Sequence, residues 1–179
     1  MGSIYTDIEI FICDVDGVLT DGVYQISNKG EITKSFYTRD FYGIEQLLRN
    51  GMRVVIISQS HDNVIFTQVN RICDHSEFWS TRYVEDGPLR IISGVNNKKV
   101  EIDSYLKKFN MTWDNVAYIG DAENDVECMK VAGVTCCPSD AIDEVYKHST
   151  WPSNFLGGKG AVYEFAMAII EEKKERGKK

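Results

Sequence analysis

The chain has 179 residues, enough for one domain with a substantial core. Its composition, 43% hydrophobic and 26% charged, is that of a folded globular protein. A net charge of −7 argues against a nucleic acid partner, because such partners bind cationic surfaces. No apolar stretch approaches the roughly 18–20 residues that span a bilayer, so we expect no membrane partner either.

Segments with strand character alternate with segments of helical spacing along the chain. The first predicted strand, 8–13, is followed by a β-hairpin whose arms, 23–26 and 32–37, flank Asn28-Lys29-Gly30. Further strands are predicted at 53–57, 116–119 and 134–137, and helices at 40–50, 61–72, 96–109, 121–131, 140–146 and 161–174. Residues 74–93 give no clear pattern. This alternation predicts an α/β fold with a parallel sheet and helices on both faces.

The five cysteines of the chain contain no CxxC pair, and two of them, Cys13 and Cys136, lie in apolar runs. That usage is typical of reduced thiols in a cytoplasmic protein and gives little support to a disulfide framework or a zinc site. We therefore expect a cytoplasmic location.

Two acids, Asp14 and Asp16, come directly after the first predicted strand. Ligands of open α/β sheets bind beyond the carboxyl ends of the strands, so both side chains are expected at a site. Two carboxylates this close repel each other unless a cation joins them or one holds a proton. One of them can coordinate Mg²⁺ and attack a phosphorus atom while the other transfers protons. A turn with two solvated carboxylates is the alternative.

A second acidic pair follows the strand at 116–119, in the run Gly120-Asp121-Ala122-Glu123-Asn124-Asp125. Asp121 and Asp125 are spaced to share one face of a helix start. Mg²⁺ prefers hard oxygen ligands, so both acids are candidate metal ligands. The alternatives are a helix N-cap for Asp121 and an ordinary surface acid for Asp125.

A hydroxyl and a lysine complete the candidate site. Ser58 ends the strand at 53–57, where its hydroxyl is placed to bond a phosphate oxygen or, alternatively, to cap a turn. Lys98 lies near the start of a predicted helix, and lysine binds phosphate as a point charge. A solvated lysine is the alternative, and Lys99 competes for the role.

The order of these motifs, Asp14-x-Asp16-Gly17, Ser58, Lys98 and Gly120-Asp121…Asp125, resembles that of the haloacid dehalogenase superfamily of phosphatases. The resemblance runs over nearly the whole chain and implies a Rossmann-like fold. Many members carry an inserted cap domain, but the intervals from Asp14 to Ser58 and from Ser58 to Lys98 are too short for a typical one. We therefore predict a single domain, 1–179, with no cap, a hairpin flap at 22–37 and a C-terminal loop and helix at 157–179.

A finer resemblance is to the capless phosphatases of 3-deoxy-manno-octulosonate 8-phosphate and of nonulosonate 9-phosphates. It rests on four runs: Asp14-Val15-Asp16-Gly17-Val18-Leu19-Thr20-Asp21-Gly22, Arg39-Asp40-x-x-Gly43-Ile44, Gly94-Val95-x-x-Lys98 and Gly157-Gly158-Lys159-Gly160-Ala161-Val162-x-Glu164-Phe165. This resemblance implies a phosphorylated 2-keto-3-deoxy sugar acid as substrate. It also implies a homotetramer in which the hairpin and a neighbour's C-terminal segment help to close the site.

The sequence departs from that family pattern near the expected substrate. Ser58-Gln59-Ser60 stands where octulosonate enzymes have Thr-Gly-Arg and nonulosonate enzymes often have Thr-Gly-Glu. Lys159 stands where arginine is common, and a lysine cannot make arginine's planar two-point contact with a carboxylate. Gln59, Ser60 and Lys159 are candidate substrate contacts that leave the choice between the eight-carbon and nine-carbon sugar open.

The resemblance implies a mechanism in which Mg²⁺ is held by Asp14, Asp121 and the backbone carbonyl of Asp16. Asp125 would support the metal through water or orient Lys98. Asp14 would form an aspartyl phosphate, Asp16 would act as acid and then base, and Ser58 and Lys98 would hold the phosphoryl oxygens.

Arg39 and Lys159 have two interpretations each. Arg39 meets either the substrate carboxylate or a surface acid. Lys159 either reaches a neighbouring subunit's site on a mobile glycine loop or belongs to a simple strand-to-helix turn.

Two rival functions stay open at this point. Related domains fused to sialic-acid cytidylyltransferases have lost catalysis and serve assembly, although they typically lack one of the two acids retained here as Asp14 and Asp16. Alternatively, an open capless site acts on another small phosphate ester.

Overall fold

A computed structural model of the chain describes residues 7–176. Residues 1–6 and 177–179 of the predicted domain lie outside the described residues, and the latter are also the end of the predicted segment 157–179. Among the described residues, none of the helices combines the length and the apolar character needed to cross a membrane.

A five-stranded parallel sheet forms the centre of the fold. Its strands lie in the order β5-β4-β1-β6-β7. Their bounds are β1 Ile10–Cys13, β4 Arg53–Ile57, β5 Leu89–Ile92, β6 Val116–Ile119 and β7 Val134–Cys136. The predicted α/β class is confirmed, and β4 and β6 have the predicted bounds.

Both faces of the sheet are covered, because alternate residues of each central strand enter different apolar cores. Phe11 and Cys13 of β1 point into one core, whereas Ile10 and Ile12 point into the other. The helices are α1 Thr38–Arg49, α2 Val64–His75, α3 Glu77–Ser80, α4 Lys98–Lys108, α5 Val126–Met129, α6 Asp143–Lys147 and α7 Ala161–Arg176, with 3-10 turns at Trp113–Asn115 and Glu123–Asp125. Helices α1, α2 and α7 pack on the first face, and α4, α5 and α6 on the second.

The segments between the strands contain no cap domain within the described residues. The chain between β1 and α1 forms only a short hairpin, with β2 Gln25–Ile26 antiparallel to β3 Ile32–Thr33. Between β4 and β5 it forms α2 and α3. Strand β5 lies in the stretch that gave no pattern; it is a four-residue edge strand in which Arg90 is exposed.

One predicted element is wrong in kind. The single helix predicted at 121–131 is a 3-10 turn, Glu123–Asp125, followed by the one-turn helix α5. The reason is local: the carboxylate of Asp125 accepts hydrogen bonds from the backbone N–H groups of Asp121 and Ala122, which holds both residues in a loop before the helix.

Candidate active site

Three candidate site residues predicted from the sequence lie at the carboxyl ends of the central strands. Asp14 directly follows β1, Ser58 directly follows β4, and Asp121 comes just after β6. Since β4, β1 and β6 are neighbours in the parallel sheet, their ends bring the three loops together at one edge. The three inner strands of the sheet therefore position the site.

Lys98, the first residue of α4, carries its ammonium group into the centre of this site. Its Nζ lies 2.8 Å from Oδ1 of Asp14 and 2.7 Å from Oδ1 of Asp125, and the side chain is 1% exposed. Burial alone would lower the pKa of Lys98, but the carboxylates of Asp14 and Asp125 raise it above its ordinary value. The lysine is thus a fixed positive charge beside Asp14.

Asp125 uses all of its acceptor positions within the protein. Its Oδ1 accepts hydrogen bonds from Lys98 Nζ at 2.7 Å and from the Tyr118 hydroxyl at 2.6 Å. Its Oδ2 accepts from the N–H groups of Asp121 at 3.1 Å and Ala122 at 3.2 Å. A carboxylate offers about four lone-pair sites. Of the two roles predicted for Asp125, this geometry therefore favours orienting Lys98 over binding a metal directly.

Tyr118 is a site residue that the sequence analysis missed. It lies within β6 and is fully buried, and its hydroxyl donates a hydrogen bond to the same oxygen of Asp125 that binds Lys98. A tyrosine in an apolar strand gives no signal of its own, because its hydroxyl finds a partner only after the loop at 120–125 has folded over the strand end.

The carboxylates at the strand ends fit a divalent cation with oxygen ligands. One oxygen from each of Asp14, Asp121 and Asp125 lies within 4.8 Å of the others. Oδ1 of Asp121 is buried and has no hydrogen-bond partner among the described residues. A buried charged oxygen without a partner is costly, and a cation would satisfy it.

The loop at Gly17 is shaped to admit Asp121. The φ angle of Gly17 is +86°, and a Cβ atom there would lie 2.0 Å from Oδ2 of Asp121. Any other residue at this position would both strain the backbone and displace the carboxylate. Gly17 therefore allows the first and last motifs to approach each other closely.

The pKa values of the two candidate metal ligands are raised by this crowding. For Asp14, burial and the charge of Asp125 raise the pKa well above its ordinary value, against the opposing effect of Lys98. For Asp121, burial and Asp125 raise the pKa to about 7, again against Lys98. A cation bound to these oxygens would offset the burial and the mutual repulsion of the acids, so the donor set fits Mg²⁺.

Asp16 faces a second lysine, which the sequence analysis also missed. Oδ1 of Asp16 lies 2.7 Å from Nζ of Lys34, in the segment between β3 and α1. Lys34 also forms an ion pair with Asp62, whose Oδ2 accepts a hydrogen bond of 2.5 Å from the Ser60 hydroxyl. Burial alone would lower the pKa of Lys34, but its contacts with Asp16 and Asp62 raise it.

The loop after β4 forms one wall of a cleft over Asp14. Ser58 is buried, and its Oγ accepts a hydrogen bond of 3.0 Å from the N–H of Ser60, which is a turn contact. Gln59 is exposed, and its Oε1 accepts a hydrogen bond of 3.1 Å from Nδ2 of Asn124. The cleft has a volume of about 380 Å³ and is lined by Asp14, Asp16, Ser58, Gln59, Ser60, Ala122 and Asn124.

The other two predicted substrate contacts, Arg39 and Lys159, do not line this cleft within the described part of the chain. The Arg39 guanidinium lies 5.8 Å from the ring centre of Tyr37 and 5.9 Å from that of Tyr163. Lys159 Nζ lies 4.0 Å from Oδ2 of Asp21. Arg39 and Lys159 are both exposed, so their roles in substrate binding stay predictions.

The glycine-rich segment before α7 supports the loop of Asp14 and Asp16 from behind. A Cβ atom at Gly157 would lie 1.9 Å from the carbonyl oxygen of Gly17, and the N–H of Gly158 donates a hydrogen bond of 2.8 Å to the carbonyl of Val18. Asp40 of α1 fixes the other end of the segment by accepting hydrogen bonds from the N–H groups of Gly160 and Tyr163.

Comparison with known proteins agrees with this arrangement. The chain is 30% identical to the 3-deoxy-D-manno-octulosonate 8-phosphate phosphatase of Salmonella typhi over 92% of its own length and 80% of that protein's. It is also 30% identical to the N-acylneuraminate cytidylyltransferase of Oncorhynchus mykiss over 94% of its length, but it spans only 36% of that longer relative.

Among solved structures, the chain resembles the 3-deoxy-D-manno-octulosonate 8-phosphate phosphatase of Moraxella catarrhalis, determined with magnesium, phosphate and KDO. The TM-score is 0.81 at 26% identity, over 96% of this chain and 90% of that one. Residues 7–155 match the profile of the haloacid dehalogenase-like hydrolases. With the acidic loops, the buried lysine and the capless parallel sheet all in place, the chain belongs to the haloacid dehalogenase-like hydrolases.

Proposed function

We propose that this chain is a Mg²⁺-dependent phosphomonoesterase that acts on a phosphorylated 2-keto-3-deoxy sugar acid through an aspartyl-phosphate intermediate. The observation that carries the proposal is the placement of Asp14: it is buried, 2.8 Å from Lys98, and next to the unpartnered Oδ1 of Asp121. A nucleophile, a fixed cation and a metal-binding oxygen meet there at the floor of an open cleft.

The first step transfers the phosphoryl group to the protein. An oxygen of Asp14 forms a bond to phosphorus while the bond between phosphorus and the ester oxygen breaks. The leaving oxygen takes a proton from the carboxyl group of Asp16, which becomes a carboxylate. Lys98 and the Ser58 hydroxyl bind the phosphoryl oxygens, on which negative charge is concentrated.

The second step returns Asp14 to its starting state. Asp16 removes a proton from a water molecule as the water oxygen attacks phosphorus, and the bond between phosphorus and the Asp14 oxygen breaks, releasing inorganic phosphate. Asp14, Asp121 and the backbone carbonyl of Asp16 would hold Mg²⁺, which would supply positive charge to offset the repulsion between the carboxylate of Asp14 and the phosphoryl group. Asp125 acts outside the metal by holding Lys98 and the loop at Asp121.

The substrate class is supported by the relatives named for octulosonate 8-phosphate and for N-acylneuraminate. Gln59 and Ser60 line the cleft and are the proposed contacts that choose between the eight-carbon and nine-carbon sugar acid. Neither residue carries a charge, so this chain has no ionic group at those two positions to select one substrate strongly.

The test is a comparison of kcat/KM with Mg²⁺ on octulosonate 8-phosphate, nonulosonate 9-phosphates and simple sugar phosphates. We expect a sugar acid phosphate to give the highest value and Asp14→Asn to abolish turnover of every ester. Asp103→Asn is the control, because Asp103 is an exposed acid that pairs with Lys99. Near-normal activity of Asp14→Asn would disprove the nucleophile, and a preference for simple sugar phosphates would disprove the substrate class.

A second candidate function is a non-catalytic assembly domain. It is favoured by the match of 94% of this chain to part of a cytidylyltransferase. Against it, both Asp14 and Asp16 are retained and Lys98 is fully paired with the acids around it. Mg²⁺ binding without hydrolysis of any ester in a broad panel would favour assembly over catalysis.

We further propose that the chain assembles as a homotetramer in the cytoplasm. The hairpin flap, 22–37, exposes four large apolar side chains, Val23, Tyr24, Ile26 and Ile32, which a neighbouring copy would cover. Exposed Arg39 and Lys159 would then reach the site of a neighbour instead of their own. All five thiols are unpaired, which supports a reducing compartment.

A further inference from the structure

Lys34 is an unusual lysine because its ammonium group is enclosed by two acids from different loops. The side chain is only 4% exposed, although the hairpin strands next to it are exposed. One partner is Asp16, at 2.7 Å, and the other is Asp62. Lysine is seldom buried unless its charge is paired, and the two acids supply that pairing here.

The three residues join three separate segments around the site. Lys34 comes from the arm that leaves the hairpin, Asp16 from the loop after β1, and Asp62 from the loop after β4. Asp62 is itself fixed by the hydroxyl of Ser60 and by the N–H of Val64 at the start of α2. Asp62 therefore fixes the position of the Lys34 ammonium group, and the ammonium group in turn binds the carboxylate of Asp16.

Lys34 also lies where the leaving group must pass. The cleft over Asp14 continues into a second one, of about 280 Å³, between the loop of Asp16 and the hairpin. The two clefts share Asp16 and Ser60, and Lys34 lines the second. With phosphorus placed beside Asp14, this second cleft gives the carbon chain of an ester a path past Asp16 toward Lys34.

We propose that Lys34 is a positioning residue, which holds the carboxyl group of Asp16 on the leaving-group side of the phosphorus atom. This inference rests on the proposed function, since it assigns to Lys34 the orientation of the proposed acid. Lys34 itself transfers no proton. Its second pair, with Asp62, fixes the hairpin arm and is separate from the contact with Asp16.

The test uses two esters that differ in their need for a proton. An alkyl phosphate, such as octulosonate 8-phosphate, leaves as an alkoxide that must be protonated, whereas p-nitrophenyl phosphate leaves as a stable phenolate. If Lys34 acts through Asp16, Lys34→Gln should lower kcat/KM for the alkyl ester at least about tenfold and leave kcat/KM for the nitrophenyl ester close to wild type, because kcat/KM reports only the first step, in which Asp16 acts as acid. Lys34→Arg should restore most of the alkyl activity, because it returns the cation.

Two further variants separate positioning from anchoring of the hairpin. Asp62→Asn removes the anchor but leaves the pair of Lys34 with Asp16, so its effect should be similar on both esters. Lys34→Gln combined with Asp16→Asn should lose no more alkyl activity than Asp16→Asn alone. Thermal unfolding of each variant reports whether it folds.

Several outcomes would overturn the inference. Equal losses of Lys34→Gln on both esters, or a selective loss of alkyl activity in Asp62→Asn, would show that Lys34 only anchors the hairpin. A wild-type protein that hydrolyses neither ester with Mg²⁺ would instead disprove the proposed function itself. An active wild type with a non-selective Lys34→Gln would disprove the positioning role alone.

Discussion

Nζ of Lys98 lies 2.8 Å from Oδ1 of Asp14, and both side chains are withdrawn from solvent. A lysine in contact with the proposed nucleophile would neutralise the negative charge that otherwise repels a phosphate dianion. The same ammonium group is held by Asp125, so its position does not depend on the substrate. Asp125 therefore connects the ammonium group beside Asp14 with the loop at Asp121.

Replacing Lys98 by an uncharged residue should strongly lower the rate of hydrolysis. Lys98→Met is expected to lower kcat/KM by about 10²–10³-fold, the scale found when a preorganised charge-stabilising group is lost. The measurement is steady-state hydrolysis with Mg²⁺, accompanied by thermal unfolding. Lys99→Met is the matched control, because Lys99 is the next residue and pairs with Asp103 on the surface. Comparable losses in the two variants would contradict the role assigned to Lys98.

Metal binding should depend on pH. Without a cation, the pKa of Asp121 is about 7 because of burial and the charge of Asp125. A protonated carboxyl group must lose its proton to bind Mg²⁺, so affinity should rise with pH up to about 7. Calorimetry in two buffers of different ionisation enthalpy should show more proton release at pH 6 than at pH 8. Proton release that is equal at both values would show that Asp121 is already ionised.

The same raised pKa has a consequence for stability. Between the ordinary pKa of an aspartate, 3.8, and about 7, the folded metal-free protein binds more protons at Asp121 than the unfolded chain does. The free energy of unfolding contributed by this group therefore falls as pH rises through that window. Saturating Mg²⁺ should remove most of the decline. Urea unfolding from pH 5 to 8, with and without Mg²⁺, measures this decline in the free energy of unfolding, and Asp121→Asn should make the metal-free decline less steep.

Replacement of Gly17 should weaken metal binding in addition to lowering the stability of the fold. In Gly17→Ala, a Cβ atom would meet Oδ2 of Asp121 at 2.0 Å, in addition to backbone strain at a φ of +86°. Gly51 has a similar φ of +78° with nothing within 4 Å of its Cβ position. Gly51→Ala should therefore cost only the strain, about 1–2 kcal/mol. Calorimetric Mg²⁺ titration should show weakened binding for Gly17→Ala only; unchanged affinity would mean that Asp121 is not a ligand.

The hairpin should control assembly. Ile26 is 62% exposed on the flap, so Ile26→Glu should place a charge within the proposed interface and yield smaller species by multi-angle light scattering. Val131→Glu is the control, because Val131 is 39% exposed and lies away from the hairpin, after α5. A wild-type protein that is already monomeric would contradict the proposed tetramer.

The sequence predicted the parts of the fold that depend on local pattern. Strands β4 and β6 have their predicted bounds because each contains four consecutive buried apolar residues, which in β4 follow Arg53. Asp14, Ser58 and Asp121 could be placed at one edge because the ends of parallel strands converge there. Strand β5 gave no pattern, since an edge strand of four residues with an exposed arginine lacks a long apolar run.

Contacts between distant segments could not be predicted in the same way. Lys34 lies in an exposed hairpin, and its partners Asp16 and Asp62 are determined by how that hairpin folds over the sheet. The bond between Tyr118 and Asp125 depends likewise on the loop at 120–125. Such side chains belong to the site through tertiary packing, which neither residue type nor spacing encodes.

The contact of Gly157 with the carbonyl of Gly17 has a consequence for how the protein forms. The loop that carries Asp14 and Asp16 is supported by residues near the opposite end of the described chain. A nascent chain that ends before residue 157 already contains every acid of the site, together with Ser58 and Lys98, yet lacks that support. The proposed activity should therefore arise only once the segment at 157–160 and helix α7 have docked behind that loop, so the motifs alone do not make a working site.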